Sequence, residues 1–354
     1  MDSRPRSPVR LATRGSALAL AQSRRIRDAL AACFPEREFE LVIIKTTGDR
    51  LPTASLANAE SGLPRGLFTK ELETALLERE ADLAVHSLKD LPTELPAGLV
   101  LASIPPREDV REVLLYRSES LRKAVPEGAA DWSPGRREPW FGQPGRHLKH
   151  LPQRSVLATS STRRAAAVRC ARPDLEVVPI RGNVGTRLRK LREGWDLDAT
   201  LLAAAGLVRL NWDISPQGIL RVDPRLPATV RATVEPPAEG LQATLIEPEQ
   251  FLPAVGQGAL GLETRSDDEE TRNLCLALNH FNTQAAVTAE RSLLAAMGGG
   301  CQAPVAAWGR VLGHQVVLSA EWYRDGKRFA GEARRSVREA ERLGQELAAQ
   351  LLQA

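Results

Sequence analysis

Arg14, Arg163, Arg164, Arg181 and Arg209 each fall just after a stretch that reads as a β-strand. Ser16, Lys89, Asp90, Ser160 and Ser161 fall in the same kind of place. In open α/β sheets, ligands bind beyond the carboxyl ends of the strands, so these positions form a candidate binding surface. Guanidinium groups grip carboxylates and phosphates bidentately, which ammonium groups do not. The implied ligand is acidic, with several carboxylates or phosphates. Any one of these arginines alone reads better as a solvated side chain; five at the ends of four separate strands favour a ligand. Arg163 and Arg164 also sit in the first turn of an expected helix, where the macrodipole disfavours cations. An anion there would neutralise both of them and the exposed N–H groups.

Asp90 is a lone carboxylate among cations at a strand end. One reading is a loop salt bridge with Lys89 or an arginine. The other is an ionised carboxylate that stabilises a developing cation or handles a proton. Lys89 as a Schiff-base nucleophile is disfavoured, because the adjacent carboxylate keeps it protonated. Cys301 follows Gly298, Gly299 and Gly300, which let a large group approach the backbone. A thiol near cations is nucleophilic, whereas a buried cysteine packs as a small hydrophobe; spacing alone leaves both open. Gly256-Gln257-Gly258-Ala259-Leu260-Gly261 matches G-x-G-x-x-G, but Leu260 to Thr264 reads as a strand where that fingerprint needs a helix. A dinucleotide site is therefore rejected.

The elements that must position these residues alternate. Strands are expected at Val9–Thr13, Glu40–Lys45 and Asp82–Leu88, with helices at Ser16–Cys33, N-capped by Ser16, and around Phe68 to Leu76. Strands at Ser155–Thr159, Leu175–Ile180 and Ala199–Ala204 alternate with helices at Thr162–Ala171 and Val184–Glu193. Arg209 is expected after a short turn at Gly206. This alternation is that of an α/β fold with a mostly parallel sheet. A helix at Thr283–Met297, strands at Ala306–Val311 and Gln315–Tyr323, a hairpin turn at Asp325-Gly326 and a last helix from about Val337 to Leu352 make a smaller α+β part. Three domains are expected: 9–106 with 257–277; 112–250, carrying irregular insertions 118–154 and 222–248; and 280–354.

The 354 residues include 48 basic and 44 acidic side chains, a near balance that argues against a stripe tracking nucleic-acid phosphates. Arginine outnumbers lysine 41 to 7, which either a GC-rich genome or an acidic ligand explains. No apolar run approaches the roughly 18 residues of a membrane span, and Met1 to Arg10 has no signal-peptide pattern. A cytoplasmic location is expected, without membrane or nucleic-acid partners. Cys33, Cys170, Cys275 and Cys301 form no C-x-x-C pair and the five histidines are scattered, so neither disulfides nor a metal site is expected.

Seven stretches, in order along the chain, resemble the porphobilinogen deaminase (hydroxymethylbilane synthase) family. They are Leu11-Ala12-Thr13-Arg14-Gly15-Ser16, Gly66-Leu67-Phe68-Thr69-Lys70-Glu71-Leu72-Glu73 and His86-Ser87-Leu88-Lys89-Asp90-Leu91-Pro92. Thr159-Ser160-Ser161-Thr162-Arg163-Arg164 and Arg181-Gly182-Asn183-Val184-Gly185-Thr186-Arg187 follow. Pro253-Ala254-Val255-Gly256-Gln257-Gly258 and Gly299-Gly300-Cys301-Gln302-Ala303-Pro304-Val305 complete the set. Each is a modest signal; all of them in family order is a specific one.

The resemblance implies two α/β lobes like those of periplasmic binding proteins, with the active site between them, and a smaller α+β C-terminal domain holding the cysteine. It implies a transferase of tetrapyrrole and haem biosynthesis. A dipyrromethane cofactor is joined to Cys301 by a thioether. Four porphobilinogens are then added head to tail with loss of ammonia, and hydrolysis releases the linear tetrapyrrole hydroxymethylbilane. Asp90 and Lys89 become the catalytic pair. Asp90 stabilises the azafulvene cation left when ammonia departs. Cofactor contacts fall on Ser16, Lys89, Asp90, Thr159, Ser160, Ser161, Arg163, Arg164, Arg187 and Arg209. Substrate contacts fall on Arg14, Ser16, Arg65, Phe68, Arg181, Arg187 and Gln257, with Arg65 standing where the family usually has a lysine. Porphobilinogen is the partner and the chain is expected to act as a monomer. A non-enzymatic anion-binding protein of the same two-lobed fold is the competing reading, but it leaves the Gly-Gly-Gly-Cys segment without a purpose.

Overall fold

The computed structural model of this chain describes residues 7–45, 69–124, 139–299 and 303–354. In chain order, β1 (Val9–Arg14), α1 (Ala17–Cys33), β2 (Phe39–Ile44), α2 (Lys70–Leu77), β3 (Leu83–Ser87) and β4 (Leu99–Ser103) come first. Next are β5 (Glu112–Arg117), β6 (Val156–Ala158), α3 (Thr162–Ala171), β7 (Glu176–Val178), α4 (Val184–Glu193), β8 (Ala199–Ala203) and α5 (Ala204–Arg209). The short elements β9 (Trp212–Ile214), β10 (Leu220–Val222) and α6 (Ala228–Arg231) lead to β11 (Leu241–Ile246). The chain then returns through β12 (Leu260–Arg265), α7 (Glu269–Leu276) and α8 (Phe281–Ala296) to β13 (Val305–Leu312), β14 (Gln315–Arg324), β15 (Lys327–Ser336) and α9 (Ala340–Gln353).

Residues 1–108, 254–320 and 330–354 gather into one compact unit, and 109–253 with 321–329 into another. The sheet of the first unit has the order β2-β1-β3-β12-β4. β1 runs parallel to β2 and β3, while the late strand β12 runs antiparallel to β3 and β4. Successive side chains of a strand face opposite ways, and both faces of this sheet are covered. Leu11, Leu83, Val85 and Leu262 pack with Ile26 and Leu30 of α1 on one face. Ala12 and Ala84 meet Leu72 and Leu76 of α2 on the other. The strands therefore read as apolar runs rather than alternations.

The second unit repeats the plan with the order β11-β5-β8-β6-β7. β6 is parallel to β7 and β8, and β5 is antiparallel to β8 and β11. Its core joins Val113 and Leu115 of β5, Leu188 and Leu191 of α4, and Leu207 of α5. A three-stranded sheet, β13-β14-β15, completes the fold, and α8 packs against both β13 and α9. Asp325 and Gly326 turn the β14–β15 hairpin, both with positive φ (52° and 72°), as a tight two-residue hairpin requires.

The helices lie where local signals place them. Ser16 caps α1, its hydroxyl accepting the Ala19 N–H at 3.3 Å. Ser161 caps α3 and Asn183 caps α4 in the same way. Two expectations need correction, and one stretch left unassigned proves structured: between Leu88 and residue 118 lie β4 and β5, and β5 is wholly buried. The stretch 222–248, expected to be irregular, contains β11, which pairs with β5 along its full length. Its flanking prolines mask a strand whose identity depends on a partner more than a hundred residues away. The turn expected at Gly206 is instead the middle of helix α5, which ends at Arg209. Among the described residues, no helix is long and apolar enough to cross a membrane.

Candidate active site

In the first unit, parallel strands β1 and β3 deliver their expected site residues to the same edge of the sheet. Arg14 ends β1 half-buried, and Ser16 follows as the cap of α1. β3 runs directly into a single 3₁₀ turn, Leu88–Asp90. Leu88 is buried and packs with Leu91, Ala259 and Val287, which anchors the turn. Lys89 is half-buried and Asp90 is exposed. Gly256, with φ +71°, lies against the back of this turn: a Cβ there would sit 3.2 Å from the Lys89 nitrogen. A small cavity at this edge is lined by Arg14, Gln22, Thr69, His86, Ser87 and Asp90. A carboxylate and a guanidinium thus share one depression, which suits a ligand carrying both an N–H donor and a carboxylate.

The cavity rests on polar groups that sequence patterning did not single out. Gln22 donates to the Ser87 hydroxyl at 2.8 Å. His86 Nε2 lies 2.9 Å from Glu263 Oε2 on β12, and both side chains are buried. Glu73 of α2 is buried as well. Burial, then the neighbouring Glu263, pushes the Glu73 carboxyl above its ordinary value near 4.5. The only sequence sign of this cluster is a set of polar residues at core positions of α1, α2, β3 and β12.

Buried charges also frame the chain on either side of β5. Glu290 of α8 is wholly buried and accepts from Arg107 at 2.6 and 3.1 Å, from Gly256 N at 2.7 Å and from Gly309 N at 2.7 Å. Gln257, expected to touch substrate, is wholly buried, and its carbonyl accepts from Arg107 Nε at 2.8 Å. Through this carbonyl Gln257 also ties Arg107 into the scaffold of the unit.

In the second unit, Thr159, Ser160 and Ser161 link β6 to α3. Thr159 Oγ1 accepts the Ser161 N–H at 3.2 Å. The Ser160 hydroxyl bridges the Ile180 carbonyl and N–H at 2.7 and 3.0 Å, stitching the ends of β6 and β7. Arg181 is half-buried before α4, and Arg187 donates to the Gly182 carbonyl at 2.8 Å. Arg209 is buried at the end of α5.

Arg163 and Arg164 depart from both readings of the sequence. They neither point to solvent nor await an outside anion as their main partner. Both are buried and close on the same carboxylate, Glu112, which is itself wholly buried at the start of β5. Arg163 Nη2 reaches Glu112 Oε1 at 2.5 Å and Arg164 Nε reaches Oε2 at 3.0 Å. Arg163 Nη1 and Arg164 Nη1 donate to the Leu252 and Leu201 carbonyls at 2.7 and 3.0 Å. Burial holds the Arg163 guanidinium below its usual range, opposed by the charge of Glu112. Arg163 Nε is buried and has no hydrogen-bond partner among the described residues. The cluster therefore keeps one net positive charge and one orphaned donor at the start of α3. Arg65, Phe68 and Cys301 lie outside the described residues.

Two expected outcomes follow from this geometry. A carboxyl with a raised folded-state value binds its proton more tightly in the native chain, so it contributes stability at low pH that is lost as pH rises above about 4.5. Glu73→Gln mimics the protonated form. Its stability relative to the parent should be greatest near neutral pH and should shrink as pH falls toward 4; urea unfolding at both pH values checks this, and a pH-independent difference would refute it. Glu112→Gln removes the shared anion of two buried guanidiniums and should cost about 3–5 kcal/mol. A loss below about 1 kcal/mol in chemical unfolding would mean that the arginines find other acceptors.

Comparison with known proteins bears on the same residues. The sequence model of the porphobilinogen deaminase dipyromethane cofactor binding domain matches residues 9–273, and that of the porphobilinogen deaminase C-terminal domain matches residues 284–353. A porphobilinogen deaminase of Desulforudis audaxviator is 43% identical across 89% of this chain and 84% of its own length. Those of Syntrophobacter fumaroxidans and Sorangium cellulosum are 37% and 40% identical, covering 97% and 96% of this chain and 94% and 97% of theirs. The chain belongs to the porphobilinogen deaminase (hydroxymethylbilane synthase) family, transferases of tetrapyrrole biosynthesis that act on porphobilinogen and carry a dipyrromethane cofactor.

Proposed function

We propose that Asp90 is the catalytic carboxylate of the family reaction in this chain and that Cys301 carries the cofactor. The observation that carries this reading is the position of Asp90, exposed on the 3₁₀ turn that ends β3 and lining one cavity with Arg14. A carboxylate so placed accepts the pyrrole N–H of the incoming porphobilinogen. As the bond to the aminomethyl nitrogen breaks and ammonia leaves, positive charge spreads over the pyrrole ring, and the fixed anion of Asp90 stabilises it. Arg14 pairs with a carboxylate of the same substrate, with Ser16 beside it. Lys89, next to Asp90, supplies a cation for the acidic side chains of the growing product.

The second unit fits a polyacidic cofactor on a ground of its own: the orphaned Arg163 Nε–H and the capped start of α3 form a cationic, donor-rich edge. Ser161, Arg164, Thr159, Ser160, Arg187 and Arg209 are the further residues proposed to hold or support it, and Arg181 serves substrate. When bound, dipyrromethane supplies a tethered pyrrole whose free α-carbon is the end to which units are added. In this reading 9–106 with 257–277, 112–250 and 280–354 are three functional domains. The enzyme works as a cytoplasmic monomer without nucleic-acid or membrane partners; the balance of 48 basic and 44 acidic side chains supports the first of these exclusions.

The intact mass of the purified protein should exceed the sequence mass by a dipyrromethane, and peptide mapping should place the excess on Cys301. An adduct that persists in Cys301→Ser would move the attachment elsewhere. Asp90→Ala should leave the fold and the KM for porphobilinogen largely intact and lower kcat by about 10²- to 10⁴-fold. Turnover within a few-fold of the parent would remove Asp90 from the catalytic role.

A further inference from the structure

α8 presents two charged residues in succession with different partners. Glu290 turns inward to Arg107, Gly256 and Gly309, as described above. Arg291 follows about 100° further round the helix. Its guanidinium donates to three consecutive backbone carbonyls: Leu91 at 3.1 Å, Pro92 at 2.6 Å and Thr93 at 3.2 Å. These are the first three carbonyls after Asp90. The segment belongs to no strand or helix, so its carbonyls have no ladder partner of their own. A planar guanidinium is suited to this, because its donors fan out in a fixed fork. Apolar packing reinforces the contact, since Leu91 and Leu88 pack on Val287, one helical turn before Arg291 on α8. The same helix runs on to Ala296, five residues before Cys301.

We infer that Arg291 is a positioning residue for catalysis: it holds the turn bearing Asp90 in fixed register with the helix that leads to the cofactor's attachment cysteine. This rests on the proposed roles of Asp90 and Cys301 and adds a device that fixes the Asp90 turn on α8. A tethered chain end must meet a carboxylate that cannot drift, because reacting groups displaced by about 1 Å lose on the order of 10² in rate. Arg291 meets this need without touching substrate. The three carbonyls could be solvated in its absence, so its removal should loosen the turn without unfolding the chain.

The test compares Arg291→Ala, Arg291→Lys and Asp90→Ala with the parent holoenzyme. Arg291→Ala should keep the cofactor mass adduct and the KM and lose about 10- to 100-fold in kcat. Arg291→Lys, which keeps a cation but lacks the fork, should recover part of that loss. Hydrogen exchange should quicken at the Leu91 amide, whose bond to the Leu88 carbonyl closes the turn, while amides of β1 and β3 remain as protected as in the parent. Normal kcat in Arg291→Ala beside an inactive Asp90→Ala would overturn the inference and leave the Asp90 reading standing. So would a raised KM with unchanged kcat, or faster exchange spread over the whole unit. An active Asp90→Ala would instead remove the reading on which the inference depends. If Arg291→Ala fails to fold, equal loss of stability and no selective change at Leu91 in Arg291→Lys would make the residue structural only.

Discussion

A carboxylate taken wholly out of water is costly unless every lone pair is used, and Glu290 uses them on four donors from three separate segments. Arg107 holds the chain just before it leaves the first unit, and Gly256 holds it just after its return. Gly309 secures β13, and the position admits no side chain, because a Cβ would fall 2.6 Å from the Ala286 carbonyl oxygen of α8. Gly256 in turn presses on the backbone of Leu88 and Lys89. One buried anion therefore fixes the helix leading toward Cys301, the backing of the Asp90 turn and both ends of the excursion into the second unit. Arg291, the next residue along, ties the far side of the same turn to the same helix.

The second unit uses the same physics with the charges reversed in number. There one carboxylate, Glu112, serves two guanidiniums, and the surplus is one positive charge beside the start of α3. Buried pairs of this kind contribute little net stability compared with apolar packing, yet they are severe about geometry, because a displaced partner leaves a charge unpaired. They are well suited to holding strand ends in fixed positions. The cluster of His86, Glu263 and Glu73 beneath the Asp90 cavity sets two carboxyl groups near one imidazole, and burial beside Glu263 raises the Glu73 carboxyl above its ordinary range. Both units thus place buried polar machinery directly behind their candidate ligand surfaces.

Local chemistry made much of the framework legible. Ser16, Ser161 and Asn183 each carry the side-chain oxygen that a helix start needs, and α3 and α4 begin and end where the sequence placed them. Asp325-Gly326 marks its hairpin for an equally local reason, since both residues tolerate positive φ. β5 and β11 escaped, because a strand buried on both faces has no alternation and β11 is defined by its pairing with β5. The site residues divide in the same way. Arg14, Ser16, Lys89 and Asp90 were visible as polar residues after apolar runs, and the structure sets them at the ends of β1 and β3.

Sequence by itself determined the cap of α1, the β14–β15 hairpin turn, the family motifs and which residue types stand at strand ends, because each depends on neighbours within a few residues. Tertiary structure alone decided what the charges do. Glu112 meets Arg163 and Arg164 across some fifty positions, and Glu290 meets Arg107 across more than a hundred and eighty. It gave two arginines that look like ligand hooks a shared buried carboxylate, and it buried Gln257 with its carbonyl on Arg107. The physical reason is that the worth of a charge depends on its desolvation and on its partner, and both are set only when distant strands and helices close around it.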